Sequence, residues 1–268
     1  MKITYKSVLT IAGSDSGGGA GIQADIKSIS ACGAYAASVI TATTAQNTQG
    51  VYDIHAIPIA HLEKQLEVVL DDIHFDAVKI GMLHSCEVIK AVASKLTKHG
   101  VKNIVLDPVM VATSGDKLIT DNAIDCLKNL LTQARLITPN ISEAELLIGH
   151  SVNSNNFEDS AKEIGRKYDT SVLLKGGHLE AKEGMMLDVL FNIETERTHK
   201  IHNLKIDTNN THGTGCSLSS SIATFLCLGF GLEIAVEKGC EYVNQAINKG
   251  KNMVLGKGNS PINHFGLK

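Results

Sequence analysis

The segment Asn210-Thr211-His212-Gly213-Thr214-Gly215-Cys216, running into Ser217-Leu218-Ser219-Ser220-Ser221-Ile222-Ala223, concentrates the chemistry of this chain. Glycines separated by a single residue and followed by small residues predict a tight turn opening into a helix. The first turn of a helix carries unpaired backbone N–H groups and a partial positive charge, so it makes a ready anion site. Cys216 stands at its mouth. A thiol so placed is biased towards thiolate, and a thiolate can take a proton from a hydroxyl near neutral pH. An anion cradle beside a base suits transfer of a phosphoryl group to an alcohol. The alternative is a plain turn followed by a core cysteine, because Gly-x-Gly is ordinary punctuation and Cys packs well in apolar surroundings.

A second glycine-rich stretch lies near the N-terminus. Gly13-Ser14-Asp15-Ser16-Gly17-Gly18-Gly19 follows the apolar run Ser7 to Ala12 and precedes a predicted helix, Ala20 to Ile29, stopped by Gly33. Strand, glycine loop and helix in that order make a βα unit. The loop lacks G-x-G-x-x-G spacing, and the next strand, Ala36 to Thr44, runs into Gln rather than an acid for a ribose. No G-x-x-x-x-G-K-[ST] occurs either, so dinucleotide-binding and P-loop readings are excluded. A loop of this kind lets backbone atoms approach a small flat ligand, with Asp25 as an acceptor. A simple turn followed by an exposed helical Asp is the other reading.

These groups need a scaffold. Leu62, Leu66, Val69, Leu70 and Ile73 recur on one helical face. Helices are also predicted around Val88, Ile89, Val92 and Leu96, and over Ile119 to Leu131, Ser142 to Ile148 and Phe157 to Tyr168. Strands are predicted at Ala77 to Ile80, at Asn103 to Pro108 and at Ser171 to Lys175. Residues 151 to 156 read as a surface loop. Alternating strands and helices predict one α/β domain over 1–268, a central mostly parallel sheet with helices on both faces. The site of such a sheet lies outside the carboxyl ends of its strands. Asp15, Gln46, Asp107, Asn140 and Lys175 stand there. Asp107 and Glu143 can hold Mg²⁺ through water. Lys175 either neutralises charge on a transferred phosphoryl group or is a solvated strand-end charge. His212 either touches phosphate or serves the turn. His199 and His202 read as surface residues, and the eleven histidines form no metal pattern.

Net charge is −3 with both signs interspersed, which gives no support for a nucleic-acid or anionic-membrane partner. The apolar run Val8 to Ala12 is too short for a signal peptide or span. The six cysteines have no metal spacing and are expected to be reduced thiols of a cytoplasmic protein.

Segments 8 to 33, 38 to 51 (SVITATTAQNTQGV), 79 to 83 (KIGML), 106 to 110 (LDPVM), 138 to 143 (TPNISE), 175 to 178 (KGGH) and 210 to 218 (NTHGTGCSL) occur in this order. Together they resemble the hydroxymethylpyrimidine/phosphomethylpyrimidine kinases of thiamine biosynthesis, within the ribokinase-like superfamily, over nearly the whole chain. The resemblance implies a three-layer ribokinase-like fold, MgATP as phosphoryl donor, and a homodimer. It implies two phosphorylations, of 4-amino-5-hydroxymethyl-2-methylpyrimidine and then of its monophosphate. It assigns the pyrimidine site to Gly13, Asp25, Thr44, Gln46, Met82 and Val109. The base becomes Cys216, the anion hole Gly213, Thr214 and Gly215, and the phosphate lysine Lys175. Asn140, Glu143, Thr211, Thr214 and Lys238 fall to the nucleotide side, and Asp107 with Glu143 to Mg²⁺. Gly17 stands where such kinases commonly have Ser, and Thr44 where an apolar residue is frequent. The resemblance leaves pyridoxal kinase as the nearest rival, and Gln46 argues against it because an amide suits an aminopyrimidine. A non-catalytic pyrimidine-binding module would need neither Cys216 nor Lys175.

Overall fold

The computed structural model describes residues 3–110, 121–177 and 184–265. Strand β1 (Ser7–Asp15) is buried along nearly its whole length, and its side chains alternate between two apolar layers. Leu9 and Ile11 face a layer shared with α2 (Ile59–Asp72), α3 (Cys86–Lys98), α4 (Asp121–Leu131), α5 (Ile141–Ile148) and α6 (Phe157–Tyr168). Val8 faces the opposite layer, with α1 (Gly21–Ala31), α7 (Thr214–Cys227) and α8 (Leu232–Gly250). The same alternation separates Val78 and Ile80 from Ala77 in β4 (Ala77–Ile80), and Val172 and Leu174 from Leu173 in β7 (Ser171–Leu174). Burial on both faces is why these strands read as unbroken apolar runs.

The remaining strands are β2 (Tyr35–Asn47), β3 (Gly50–Ala56), β5 (Ile104–Leu106), β6 (Leu136–Ile137), β8 (Met185–Asn192) and β9 (Arg197–Leu204). All nine form one sheet in the order β3-β2-β1-β4-β5-β6-β7-β8-β9. The run from β2 to β7 is parallel, while β3, β8 and β9 join antiparallel at the edges. The expected three-layer arrangement is the observed one. Because the central strands are parallel, their carboxyl ends lie along one rim, and that rim collects Asp15, Met82, Asp107, Asn140 and Lys175.

Some expectations need revision. Strands β3, β6 and β8 and helix α8 were not anticipated, and β1 runs past Gly13 to Asp15. Residues 119 and 120 of the helix expected over Ile119 to Leu131 lie outside the described residues, as does His178. Cys86 and Cys126 are joined as a disulfide across α3 and α4, with Cα atoms 5.5 Å apart. This corrects the expectation that every cysteine is a reduced thiol. The pairing comes from helix packing between residues 40 apart in sequence, which no local spacing reports. Cys32, Cys216, Cys227 and Cys240 are free.

Candidate active site

Two glycine loops interlock to form the site. Gly213 is the N-cap of α7 in the left-handed conformation, φ 84°, and a Cβ there would run into the carbonyl oxygen of Gly19. Only glycine meets both demands. The N-terminal loop is organised by Asp15, whose carboxylate accepts the backbone N–H groups of Gly17, Gly19 and Ala20 at 2.7, 3.0 and 2.8 Å. His212 Nε2 lies 3.1 Å from the same carboxylate. Burial opposes charge on Asp15, yet the hydrogen bonds from His212, Ala20 and Gly17 hold it below the usual carboxylate range. His212 therefore ties one glycine loop to the other.

Beside these loops the buried Met82 side chain packs against Gly13. A Cβ on Gly13 would sit 2.6 Å from Met82 Cε, so the absence of a side chain is what admits the methionine. Thr41 donates to the Met82 carbonyl at 2.9 Å, fixing the backbone that follows β4. Gln46, half-buried at the end of β2, has its amide 3.2 Å from Thr44 Oγ1 and 3.5 Å from His212 Nε2. Thr44 also donates to the Ser14 carbonyl at 3.0 Å. Half-buried Val109 follows Asp107, to whose carbonyl its N–H donates at 2.8 Å.

The opposite wall is charged. Lys175 Nζ is 3.0 Å from Asp107 Oδ1, and Thr138 Oγ1 donates to that same oxygen at 2.9 Å. Both members are shielded, with side-chain exposures of 18% and 3%. Burial disfavours the ammonium, but Asp107 and Glu143 hold Lys175 above its ordinary value. A Cβ on Gly215 would lie 3.3 Å from Asp107 Oδ2 and 3.7 Å from Lys175 Nζ. The bare first turn of α7 thus faces this pair directly.

Asn140 and Glu143 form a reciprocal capping box on α5, each side chain accepting from the other's backbone N–H, at 2.9 and 2.8 Å. This accounts for the Asn140 carbonyl group as a helix cap. Glu143 is pushed up to about 7, first by burial and further by Asp107, against the pull of Lys175. Among the described residues no cluster of three metal-ligating side chains exists.

Three residues singled out in the sequence meet surroundings that the sequence did not announce. Asp25 is not a substrate acceptor: it is fully buried, and its carboxylate takes hydrogen bonds from Thr10, Ser220 and Lys79. Lys238, on α8, packs on aromatic rings of the neighbouring α7 and of the turn that follows it. Its ammonium lies over the rings of Phe225 and Phe230, 5.8 and 5.0 Å from their centroids. Phe225 is about 16 Å along α7 from its first residue, at about 1.5 Å per residue. Finally, the Cys216 thiol is not biased towards thiolate. Burial pushes it up to about 11, Asp25 and Asp107 add to this, and the Lys79 ammonium and the Gly21 N–H only partly oppose.

Thr211 and Thr214 bracket the turn that opens α7, where the Thr214 N–H lies 3.2 Å from the Thr211 carbonyl. Lys79 was missed. Its signal was a lone lysine in the strand Ala77-Val78-Lys79-Ile80, where a side chain has no route to water.

Residues 15–263 match the phosphomethylpyrimidine kinase family. The chain is 46% identical to the thiamine biosynthesis bifunctional protein ThiED of Geobacter sulfurreducens over 97% of its own length, and spans about half of that protein, 52%. It is 44% identical to a hydroxymethylpyrimidine/phosphomethylpyrimidine kinase of Rhizobium meliloti, covering 96% of each. Among solved structures, the pyridoxal kinase of Bacillus subtilis in complex with ADP superposes with a TM-score of 0.89 at 31% identity, covering 98% of this chain and 99% of that one. Sequence, interlocked loops and fold agree: the chain belongs to the phosphomethylpyrimidine kinase family.

Proposed function

We propose that the chain is an ATP-dependent kinase that phosphorylates 4-amino-5-hydroxymethyl-2-methylpyrimidine and then its monophosphate, in thiamine biosynthesis. The observation that carries this is one arrangement: the α7 N-terminus faces the Lys175–Asp107 pair, and the loop before it reaches Gln46 through His212, on the side where Met82 packs against Gly13. We assign the planar ring to the side of Gly13, Met82 and Gln46, and the cradle suits phosphate. A binding module would not need both.

In this reading the first turn of α7, at Gly213, Thr214 and Gly215, and the Lys175 ammonium take the charge that develops on the transferred phosphoryl group. Asp107 Oδ2 and Glu143 fit a Mg²⁺ held mainly by water and phosphate, since Mg²⁺ keeps several waters and takes few carboxylates. When bound, the ion would supply neutralisation of phosphate charge. Asn140, Thr211 and Thr214 line the nucleotide side. Cys216 accepts the hydroxyl proton of the substrate. With the thiol at about 11, the thiolate is a minor form at neutral pH. Only the thiolate can take the proton, so the rate should climb as pH rises towards that value. Gln46 reads the ring nitrogen and exocyclic amine, Met82 covers the ring face, and Thr44 and Val109 border it.

We also place the enzyme in the cytoplasm as a homodimer. Exposed Tyr52 on edge strand β3 is in keeping with a second copy, and light scattering in solution would settle the dimer. Among the described residues no helix is long and apolar enough to cross a membrane.

The deciding experiment is a side-by-side MgATP assay on the hydroxymethylpyrimidine, its monophosphate and pyridoxal, with Cys216→Ala and Gln46→Met. Cys216→Ala should lower kcat by about two to four orders of magnitude. Gln46→Met should raise KM for the aminopyrimidine much more than for pyridoxal, by about 1–3 kcal/mol of unmatched polar contact. A wild type that prefers pyridoxal, or equal losses on both substrates, refutes the assignment.

A further inference from the structure

Helices α1 and α7 present facing pairs one turn apart. On α1 these are Gly21 and Asp25, and on α7 they are Cys216 and Ser220. Cys216 precedes Ser220 by one turn and shares its face of α7, and Ser220 Oγ donates to Asp25 Oδ1. Lys79 enters from β4 below them. Its ammonium is 2.9 Å from both Asp25 oxygens, and neither side chain has any exposure. Gly81 leaves the space for it, since a Cβ there would lie 2.8 Å from Lys79 Nζ. Thr10 supplies a further donor to Asp25.

A wholly buried ion pair is weak evidence for stability, because desolvation consumes most of the attraction. The position of this one beside a thiol suggests another use. We propose that Lys79, oriented by Asp25, is a positioning residue for Cys216: its ammonium is the buried counter-charge for the thiolate form of the sulfur. This rests on the reading of Cys216 as the proton acceptor. The charged groups that act on the sulfur are Lys79 from β4, Asp25 from α1, Asp107 after β5 and Lys175 after β7. Lys79 opposes the effect of burial, and Asp25 reinforces it. Removing each should therefore move the thiol in opposite directions, which a merely structural pair would not do.

The test measures the rate at which iodoacetamide alkylates Cys216 between pH 7 and 10, read on the peptide by mass spectrometry, in wild type, Lys79→Met and Asp25→Asn. The other free cysteines provide contrast: burial pushes Cys32 and Cys227 up to about 12 and raises Cys240 further. Lys79→Met should slow alkylation at pH 8 by about tenfold, and Asp25→Asn should speed it several-fold. The kcat–pH profile should shift the same way, upward for Lys79→Met and downward for Asp25→Asn. A folded Lys79→Met protein alkylated within twofold of wild type overturns the proposal. If Lys79→Met fails to fold, Asp25→Asn decides, and unchanged or slower alkylation overturns it. Slower alkylation in Lys79→Met with kcat unchanged would keep the counter-charge and remove Cys216 as the base, so the two readings fail separately.

Discussion

Lys175 and Asp107 form a shielded pair, and either could be the one that matters for rate. At about 3 Å, unit charges attract by about 5–6 kcal/mol at an effective dielectric of about 20. Desolvation offsets part of this, and breaking such a pair from one side costs about 3–5 kcal/mol because a buried charge is orphaned. Lys175→Ala alone therefore mixes instability with lost catalysis. A double-mutant cycle separates them. If Lys175 exists only to neutralise Asp107, removing it from an Asp107→Asn background should cost nothing. If it faces the transferred phosphoryl group, as its place 3.7 Å from a Cβ built on Gly215 implies, the cost persists. A developing-charge partner in a dry site is worth about 2–4 kcal/mol, or roughly 30- to 900-fold in rate.

The assay is single-turnover phosphoryl transfer on wild type, both single variants and the double variant, with urea unfolding of each. Stability in the double variant should recover by at least half of what Lys175→Ala loses. Its rate should still fall at least about thirtyfold below Asp107→Asn. A difference below threefold would refute the role of Lys175 and leave it as a structural counter-ion.

Gly213→Ala should lower stability by about 3 kcal/mol or more, because a positive φ and a collision with the Gly19 carbonyl combine, and should abolish ADP binding measured by calorimetry. Lys238→Met should leave the KM for ATP within twofold of wild type and cost about 0.5–2 kcal/mol of stability, the range of a cation–π contact. A large rise in that KM would return Lys238 to the nucleotide site. His264 is buried and held down to about 4, so it stays neutral in the fold while the unfolded chain binds a proton below about 6.5. Its contribution is complete above that value and is lost as pH falls through the window from about 6.5 to about 4, by about 3 kcal/mol in all. Glu143, raised to about 7, has the opposite sign, since its contribution is lost as pH rises from about 4.5 through 7. The slope specific to His264 is therefore the difference between wild type and His264→Gln in urea titrations across pH 4 to 7.

What the sequence showed and hid follows from how far apart the causes lie. Buried strands such as Ala77–Ile80 and Ser171–Leu174 announce themselves, because burial on two faces demands a continuous apolar run. The two-residue strand Leu136–Ile137 is too short for any pattern, and Gly50–Ala56 is an exposed edge that buries neither face, so its side chains carry no core-facing alternation. Glycines were legible as turns, yet the carbonyl that each must admit was not. Asp25 was misread because its partners, Lys79 and Ser220, are 54 and 195 residues away. The helix N-terminus at Cys216 was visible, but the burial that outweighs it is a property of the packed molecule.

That same distance explains the architecture of the site. A pocket for a ring and a cradle for phosphate must keep their separation fixed if a hydroxyl is to meet a phosphoryl group in line. Here neither loop stands alone. Asp15 binds three N–H groups of its own loop and, through His212, the loop that opens α7. Gly213 presses on Gly19, and the position of Gly21 is set by the carbonyl of Gly13, which itself yields space to Met82. A side chain at Gly13 would displace Met82, and one at Gly213 would displace the cradle from the N-terminal loop. The glycines thus act less as sources of flexibility than as the places where two remote segments are allowed to touch, and the register between substrate and phosphate is set there.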